Sequence, residues 1–340
     1  MKKKKRILTG DRPTGRLHLG HYVGSISNRV KLQQDYDEYV LIADVQALTT
    51  NFDHPEKLSK DVREVAMDNI SCGLNPEIAT LLVQSMIPEI AELTIYFSMF
   101  TTLASLRRNP TIKNEARMLG FKNNLMYGFL GYPISQAADI TIFKADLVPV
   151  GEDQLPIIEQ TREIVRKFNR LYAPVLVEPR GLVGESGRLV GTDGKNKMSK
   201  SLGNVIYLSD AKKVVENRVS EMFTDPEKIH LDDKGHPEKC PVYNYHKVFS
   251  EGKEKVLQIK KDCINGKLGC VECKKHLANE LNKFLDPIRD KRKRLERNPK
   301  KIDEILIEGT KKARKIARNT MESVKAAMKI DYLKGSYNDL

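Results

Sequence analysis

A basic, strand-like run, a tight turn and a helical pattern follow one another within the first 32 residues, and this order constrains the fold most. The run KRIL precedes TGDRPTGRLHLGHYVGSISNRVKL (9–32), where glycine, aspartate and proline favour a turn. Apolar residues then recur at helical spacing, which predicts His18 in the loop and His21 in the first helical turn. The N–H groups of a helix start favour a phosphate, to which two imidazoles can also donate hydrogen bonds. The residues predicted to form the turn are Gly10, Asp11, Pro13 and Gly15.

Strand-like and helical patterns then alternate along the chain. The apolar runs EYVLIADVQAL (38–48) and ATLLVQS (79–85) each predict a buried strand, and a helix is predicted between them, starting near Pro55. Such alternation is typical of a parallel sheet in a doubly wound α/β domain, which binds nucleotides where its first strand ends. We therefore expect a Rossmann-like catalytic domain over residues 1–203, with helices inserted at about 88–131.

Positive charge is concentrated in the second half of the chain. Of the formal net charge of +13, residues 1–203 carry +4 and residues 204–340 carry +9. The basic runs KRKRLER (291–297) and KKARKIAR (311–318) indicate a polyanionic partner such as RNA, although a solvated helix face is the commoner explanation of any single run. Helical periodicity from Ser209 onward predicts an all-helical domain over residues 204–340.

The composition is that of a soluble globular protein. The chain has 340 residues, of which 40% are hydrophobic and 30% charged, so it is long enough for two domains and unlike a disordered or membrane protein. No apolar run has the length of a membrane span. The N-terminal MKKKKRIL lacks the apolar segment of a signal peptide, so we expect a cytoplasmic protein without membrane contact.

A second distinctive motif, KMSKS (197–201), lies in the glycine-framed loop GTDGKNKMSKSLGN (191–204). HLGH alone is a weak signal, but a specified pentapeptide rarely occurs by chance. Together the two motifs resemble the HIGH and KMSKS signatures of class I aminoacyl-tRNA synthetases. Such a loop can close over ATP and place Lys197 and Lys200 against the leaving pyrophosphate; a charged surface loop without a ligand is the alternative.

The segment GYPISQAADITIFKADLVPVGEDQLPIIEQTREIVRKFN (131–169) is similar to the tryptophanyl-tRNA synthetase pattern within that class. The opening GDRPTGRLHLGHYVGSI and IADVQALT (42–49) match that pattern as well. Two positions depart from it, because Arg12 replaces a glutamine and Gln136 stands where many members have methionine. Gln136 and Asp139 share the Q-x-x-D spacing of tyrosyl-tRNA synthetases, so a tyrosine ligase remains the alternative, although VPVGEDQ favours tryptophan.

The resemblance implies a role for individual residues. Asp139 would accept the indole N–H of tryptophan, Gln154 would hold the amino group, and Tyr132 and Gln136 would line the same pocket. A buried carboxylate among apolar neighbours needs a partner, whereas the alternatives are a helix-surface or capping role for Asp139 and a plain turn at Glu152 and Asp153. The charge on the phosphates would be stabilised by His18, His21, Lys197 and Lys200. The implied ATP-binding residues are Arg12, Pro13, Thr14, Gly20, His21, Gly151, Glu152, Asp153, Leu189, Lys197, Met198, Ser199, Lys200 and Ser201.

The implied reaction has two steps and needs no protein nucleophile. The carboxylate of L-tryptophan attacks the α-phosphorus of ATP bound to Mg²⁺, and the 3′-terminal ribose of tRNA(Trp) then attacks the adenylate. The resemblance also implies an anticodon-binding role for the helical domain and a homodimer. Two more distant interpretations are a small-molecule nucleotidyltransferase, which shares the H-x-G-H helix start, and a non-enzymatic RNA-binding metal protein.

Four of the five cysteines form the spacing C-x22-C-x6-C-x2-C within residues 240–273. In a reducing cytoplasm, clustered cysteines bind a metal more often than they form disulfides, and C-x2-C is common to zinc and iron–sulfur sites. The same spacing occurs in a subset of bacterial tryptophanyl-tRNA synthetases that hold a [4Fe–4S] cluster, so we expect that cluster; Zn²⁺ and free thiols remain alternatives. The expected ligands are Cys240, Cys263, Cys270 and Cys273.

Overall fold

A five-stranded sheet forms the centre of the computed structural model, which describes residues 4–121, 125–183 and 189–332. The strands are β1 (Arg6–Asp11), β2 (Asp37–Ile42), β3 (Thr80–Val83), β4 (Leu147–Val150) and β5 (Arg180–Val183). They lie in the order β3-β2-β1-β4-β5, and every neighbouring pair is parallel. Because the order reverses between β1 and β4, their carboxyl ends flank the crevice where open α/β sheets bind ligands. The predicted doubly wound fold is confirmed.

Helices cover both faces of the sheet and form most of the described chain after residue 209. In the first half they are α1 (Leu19–His21), α2 (Ser27–Leu32), α3 (Asp44–Asn51), α4 (Leu58–Ser71), α5 (Pro88–Ser98), α6 (Leu103–Arg108), α7 (Pro110–Met118), α8 (Tyr127–Ile142) and α9 (Leu155–Leu171). In the second half they are α10 (Lys212–Ser220), α11 (Pro241–Phe249), α12 (Lys253–Ile264), α13 (Cys270–Glu296) and α14 (Pro299–Ala327). Each of these helices in the described residues is too short or too polar to cross a membrane.

The alternation of side chains along β2 separates two apolar layers. Tyr39 and Leu41 pack into one layer with α5, α8 and α9. Val40 and Ile42 point the other way and pack with α1, α4 and helices of the second half. The sheet is therefore buried on both faces, which explains why its central strands appear in the sequence as continuous apolar runs.

Two sequence-based boundaries were wrong. The strand predicted over 38–48 ends at Ile42, and α3 starts at Asp44, whose carboxylate accepts N–H groups from Val45 (3.0 Å) and Ser85 (2.9 Å). An apolar run cannot reveal this role of Asp44, because one of the two donors lies 41 residues further along the chain. In the first turn, Gly10 and Asp11 belong to β1 rather than to the loop.

The last long helix, α14, returns to the sheet and covers its β3 edge. The Val83 N–H donates to the Thr310 hydroxyl (3.1 Å), which satisfies an edge group that would otherwise be exposed. Gly309 allows this approach, because a Cβ there would lie 1.9 Å from the Leu81 carbonyl oxygen. The small residues Ala313 and Ala317 of α14 are fully buried, so the helix packs against the first half of the chain.

Part of the basic charge in the second half is used inside the protein. Arg292, within the run 291–297, is buried and forms ion pairs with Glu64 and Asp68 of α4. Arg314, in the second basic run, pairs with Glu89 of α5 at 3.1 Å. These side chains hold the helices of the second half against the sheet domain, so fewer cations of the two runs face solvent than their sequence indicated.

Candidate active site

The HLGH segment lies at the carboxyl edge of the sheet, after β1. His18 is the N-cap of α1, with extended backbone angles (φ −125°, ψ 172°), and His21 lies in the first turn, as predicted. The helix continues through a π-helical turn, Tyr22–Ile26, into α2; turns of this kind are frequent at functional sites. The Leu19 N–H donates to the Ile206 carbonyl (3.0 Å), so the chain that follows the lysine loop anchors the start of the helix.

The lysine loop packs directly on this helix start. The Gly20 N–H donates to the Met198 sulfur at 3.3 Å, between residues 178 positions apart in the sequence. The Lys200 ammonium group donates to the carbonyl oxygens of Thr14 (3.1 Å) and Gly15 (3.0 Å). The HLGH and KMSKS motifs therefore form one continuous surface, which carries the two imidazoles and the Lys200 ammonium group.

Gly20 makes this approach sterically feasible. A Cβ at this position would lie 3.0 Å from the His18 ring and 3.2 Å from the Met198 Cβ. Contacts of that length force a neighbour to move, so any side chain here would displace the imidazole or the methionine. The glycine of HLGH is thus required by packing between two distant segments.

Both histidines are neutral at physiological pH. Burial, together with the positive charge of Lys200, lowers the pKa of His18 to about 2 and that of His21 to about 4. The His21 Nδ1 accepts the His18 backbone N–H (3.2 Å), which leaves the His21 proton on Nε2. A neutral imidazole is a hydrogen-bond donor that adds no charge, and it can serve oxygens of a phosphate already facing cations.

The rest of KMSKS is shaped by Asn204. Its side-chain oxygen accepts the Ser199 N–H (2.7 Å) and its amide donates to the Lys197 carbonyl (3.3 Å). The Lys197 side chain is exposed, whereas burial lowers the pKa of Lys200. The hydroxyl groups of Ser199 and Ser201 lie 2.9 Å apart. The loop therefore holds one cation against the helix start and leaves the other facing solvent.

A cavity of about 360 Å³ opens where β1, β2 and β4 end. Its walls include Arg12, whose guanidinium donates to the Thr50 hydroxyl (2.5 Å), and Glu115 of α7. The volume suits a ligand of the size of an aromatic amino acid. Among the residues predicted to bind substrate or ATP, the cavity brings together Arg12, Tyr132, Gln136, Asp139, Gly151 and Gln154.

Asp139 lies on α8 at the inner end of this cavity and is 2% exposed. Burial raises the pKa of its carboxyl to about 7. Gln84 donates to both of its oxygens (2.8 and 3.0 Å), and Gln46 donates to one of them (2.7 Å). The carboxylate is therefore a buried, hydrogen-bonded group rather than a helix-surface or capping residue.

Some predicted ATP contacts lie outside the cavity wall. Glu152 and Asp153 are exposed on a short helical turn between its lining residues Gly151 and Gln154. Leu189 is buried in the apolar layer that also contains Met198. Its side chain therefore packs beneath the lysine loop.

Residues 1–286 match the family described as tRNA synthetases class I (W and Y). The chain belongs to this family. It is 49% identical over 334 residues to the tryptophan–tRNA ligase of Clostridium longisporum, a match that covers 97% of this chain and 98% of that protein. It is 41% identical to the tryptophan–tRNA ligase of Aquifex aeolicus, over 96% of this chain and 100% of that protein.

Solved structures give the same family relationship. The tryptophanyl-tRNA synthetase of Campylobacter jejuni complexed with ADP and tryptophan has a TM-score of 0.85 and 31% identity, over 95% of this chain and 99% of that chain. The tyrosyl-tRNA synthetase of Archaeoglobus fulgidus, at 24% identity and a TM-score of 0.67, shares the fold. Membership in the family argues against the nucleotidyltransferase and non-enzymatic interpretations.

Sequence reasoning missed a buried ion pair beside the first signature of this class I synthetase. Arg29 is 1% exposed and donates to Asp11, Asn69 and Thr9. Burial alone would raise the pKa of Asp11, but the Arg29 guanidinium lowers it to about 2. Asp11 ends β1 at the cavity, so the pair fixes the strand end from which the first signature departs. No local sequence pattern links Asp11 to a side chain 18 positions away.

The four clustered cysteines of the synthetase line one small cavity, together with Lys228 and Asp225. Burial raises the pKa of Cys240, Cys263 and Cys273, to about 12 for Cys273, and the neighbouring thiols add to each rise. The Cys273 sulfur lies 3.6 Å from the buried His246 ring. The fifth cysteine, Cys72, lies apart from them at the end of α4.

The spacing of the thiols can be compared with known metal geometries. Within the described residues, one group of three candidate ligand atoms lies within 4.8 Å of one another, and it consists of Asp225, Glu227 and His236. No three of the cysteine sulfurs are therefore that close. Sulfurs around a tetrahedral Zn²⁺ are about 3.8 Å apart, from the Zn–S length of about 2.3 Å. The four thiols and the small cavity between them have the donor chemistry of a thiolate-bound metal centre, either zinc or iron–sulfur.

Proposed function

We propose that this chain is a tryptophan–tRNA ligase, which activates L-tryptophan with ATP·Mg²⁺ and transfers it to tRNA(Trp). The observation that carries the proposal is the hydrogen bond between Gly20 and Met198, which joins the two class I signatures into one surface. Relatives at 41–49% identity over nearly the whole chain are tryptophan–tRNA ligases, which supports this amino acid. A tyrosine ligase is the second candidate, because Gln136 and Asp139 line the same cavity.

In the first step, the substrate carboxylate attacks the α-phosphorus of ATP and pyrophosphate leaves. His18 and His21 donate hydrogen bonds to phosphate oxygens from the helix start. Lys197 and Lys200 supply two positive charges to the leaving pyrophosphate. Since His18, His21 and Lys200 are already held at the site, they stabilise developing charge with little rearrangement, whereas Lys197 would turn in from solvent.

Asp139 would receive the indole N–H at the inner end of the cavity, with Tyr132 and Gln136 in its walls. Gln154, at the start of α9, would hold the amino group. A site built to accept one N–H donor can reject an analogue without it by about 10⁴–10⁵-fold. The loop of Gly151, Glu152 and Asp153 would contact the ATP ribose at the outer rim of the cavity.

ATP–pyrophosphate exchange with the purified protein tests this assignment. We expect exchange that depends on L-tryptophan and is negligible with L-tyrosine. Exchange with tyrosine alone would support the second candidate, and absence of exchange with either would contradict the proposal. Charging of tRNA(Trp) transcript measured separately would test the second step.

The helices after residue 204 would bind the tRNA anticodon region. The support is the net charge of +9 in this half. Cations that are paired within the protein, such as Arg292, do not contribute to this binding. Binding that depends on phosphate contacts weakens steeply with salt. We expect the KM for tRNA to rise with salt concentration while the KM for tryptophan changes little.

We also propose a homodimer formed through α5–α8. Apolar side chains are exposed along these packed helices, among them Met99, Met118 and Tyr127, which are 67%, 86% and 73% exposed. A concentration of exposed apolar groups of this kind marks interaction surfaces. Light scattering after size exclusion should give twice the 38.7 kDa chain mass, and substitution of Met118 and Tyr127 by lysine should give the monomer.

We propose that the four cysteines hold a [4Fe–4S] cluster in a reducing cytoplasm. Four soft thiols that line one cavity suit this group, and the resemblance in their spacing along the sequence favours it over Zn²⁺. When bound, the cluster would cross-link α11, α12 and α13 and would take no part in adenylate formation. Anaerobic purification should give a brown protein with iron and acid-labile sulfide; a colourless, zinc-containing protein would contradict the cluster.

A further inference from the structure

Three polar side chains from different segments meet at the inner end of the substrate cavity. Gln84 follows β3, Gln46 lies on α3 and Asp139 lies on α8. Three N–H···O contacts of 2.7–3.0 Å link the two amides to the carboxylate. Gln84 is 2% exposed and does not line the cavity, whereas Gln46 and Asp139 do. Gln84 therefore contacts Asp139 from the side that faces away from the cavity.

The orientation of the Gln84 amide is fixed by a backbone donor. The Gln46 N–H donates to the Gln84 side-chain oxygen (3.1 Å), so the amide nitrogen must face Asp139. The turn that carries Gln84 is itself held by Asp44, which accepts the Ser85 N–H (2.9 Å) and hydroxyl (2.5 Å). A rotated amide would oppose its oxygen to the carboxylate and lose both contacts.

A carboxylate has about four acceptor positions, and in Asp139 three of them are occupied by the glutamine amides. We infer that Gln84 and Gln46 are positioning residues that keep Asp139 ready to accept a single N–H donor from the substrate. The inference rests on the proposed function and adds residues to its substrate site. It assigns the two glutamines a role in selecting an indole over an analogue that lacks the N–H.

Electrostatics explain why an acceptor in this position needs such support. Burial raises the pKa of Asp139 and the charge of Asp44 raises it further, while the Gln84 and Gln46 amides lower it, to about 7 overall. Without the amides, the pKa of Asp139 would be higher, so a larger share of the carboxyl would be protonated at neutral pH and would present an O–H donor. The other charged residues lining the cavity are Asp11, Arg12, Arg29 and Glu115.

The test uses Gln84→Met, with Gln46→Met as the milder second variant. The matched control is Gln33→Met, because Gln33 is also buried and makes three hydrogen bonds, to Val30, Gly73 and Asn75, at the far end of the sheet. The chain contains no tryptophan, so the fluorescence anisotropy of added L-tryptophan reports binding directly.

For the wild type, we expect affinity to rise with pH through about 7. Gln84→Met should move this midpoint up by about one unit or more and weaken binding at pH 7 about tenfold, because two charge-assisted contacts are lost. Gln46→Met should move it less, Gln33→Met should leave it unchanged, and kcat at saturating tryptophan should change less than about threefold. Gln84→Met should also lose discrimination against the analogue with sulfur in place of the indole N–H.

An unchanged midpoint and unchanged discrimination in both cavity variants, with wild-type tryptophan binding intact, would overturn the inference alone. Failure of the wild type to bind tryptophan would overturn the proposed function as well. Thermal unfolding of all three variants separates the two roles, since a merely structural role would lower Tm in Gln84→Met and Gln33→Met alike and leave the pH midpoint in place.

Discussion

The signature site, which the HLGH and KMSKS motifs form, and the cysteine cavity both bury ionisable side chains. Burial shifts the pKa values of these side chains in opposite directions at the two places. At the signature site burial lowers the pKa of His18, His21 and Lys200, so positive charge is disfavoured there. At the cysteine cavity burial raises the pKa of Cys263 and Cys273, so negative charge is disfavoured. A bound anion would favour the charged forms at the signature site, and a bound cation would favour the charged thiolates at the cysteine cavity.

The two regions also differ in whether contacts within the protein hold them together before a ligand binds. The signature site is held by contacts within the protein, such as Gly20 with Met198 and Lys200 with Thr14, so it is formed before an anion arrives. The cysteine thiols repel one another in their charged form, and a metal would remove that repulsion. We therefore expect variants at the first site to affect the reaction rate and variants at the second to affect stability.

The largest expected effect is at Lys200. Lys200→Met removes a charge at the phosphate site but keeps the length of the side chain, so we expect adenylate formation to slow by about 10²–10³-fold, measured by single-turnover kinetics. Lys195→Met, in the exposed part of the same loop, is the control and should retain the wild-type rate. A loss smaller than tenfold for Lys200→Met would contradict the assigned role.

The next effect should appear at the cysteine cavity. Cys273→Ser removes one of the four proposed ligands, and we expect it to lower metal content and to destabilise the protein by about 2–3 kcal/mol, or roughly 3–4 °C in Tm. Cys72→Ser, at the end of α4, should keep the full metal content. Equal metal content in both variants would show that Cys273 is not a ligand. A large loss of the ATP–pyrophosphate exchange rate at low temperature, where the variant is folded, would contradict the expectation that the cysteines affect stability rather than rate.

A pH titration of stability should distinguish the signature site further. The unfolded state protonates His21 near 6.5, whereas the folded state does so only near 4, so the unfolded state binds more protons between these values. Stability should therefore fall as the pH is lowered from about 6.5 to 4, by roughly 2 kcal/mol from this residue. Urea midpoints at pH 7.5 and 4.5 measure the loss, and His21→Gln should reduce it. An identical loss in His21→Gln would assign it to other groups.

The smallest effect should come from Gly20→Ala. The added methyl would displace the His18 ring or Met198 by a few tenths of an ångström, and we expect about a 3–10-fold slower first step with about 1 kcal/mol lower stability. Gly128→Ala is the matched control, because no atom lies within 4 Å of its added Cβ. Equal rates for the two variants would mean that the reaction does not depend on close contact between the HLGH and KMSKS segments.

The parts of the fold that follow from local pattern could be predicted from the sequence. The strand, turn and helix around His18 depend on neighbouring residues, and the parallel sheet follows from alternation along the chain. The buried Asp139 could be anticipated because its neighbours on α8 are apolar. The convergence of Cys240 with Cys273 was indicated by spacing alone, since clustered thiols have few alternative uses.

Other features depend on pairs that no local pattern links. Gln84 and Gln46 act on Asp139 across 55 and 93 positions, and their own segments show only a strand end and an apolar run. Arg292 lies in a basic run that indicated RNA, yet it is buried against Asp68, 224 positions away. A basic run in a sequence predicts a negatively charged partner. Only the packing shows whether that partner is a carboxylate of the same chain or another molecule.

The contact between α14 and β3 has a consequence for biosynthesis. The Val83 N–H meets its acceptor, Thr310, only after 227 further residues have been added. As the nascent chain leaves the ribosome, the growing sheet therefore keeps one open rim that another strand could join. The last long helix is thus the step that closes the sheet, and we expect polypeptides released before it to be the species that chaperones must retain.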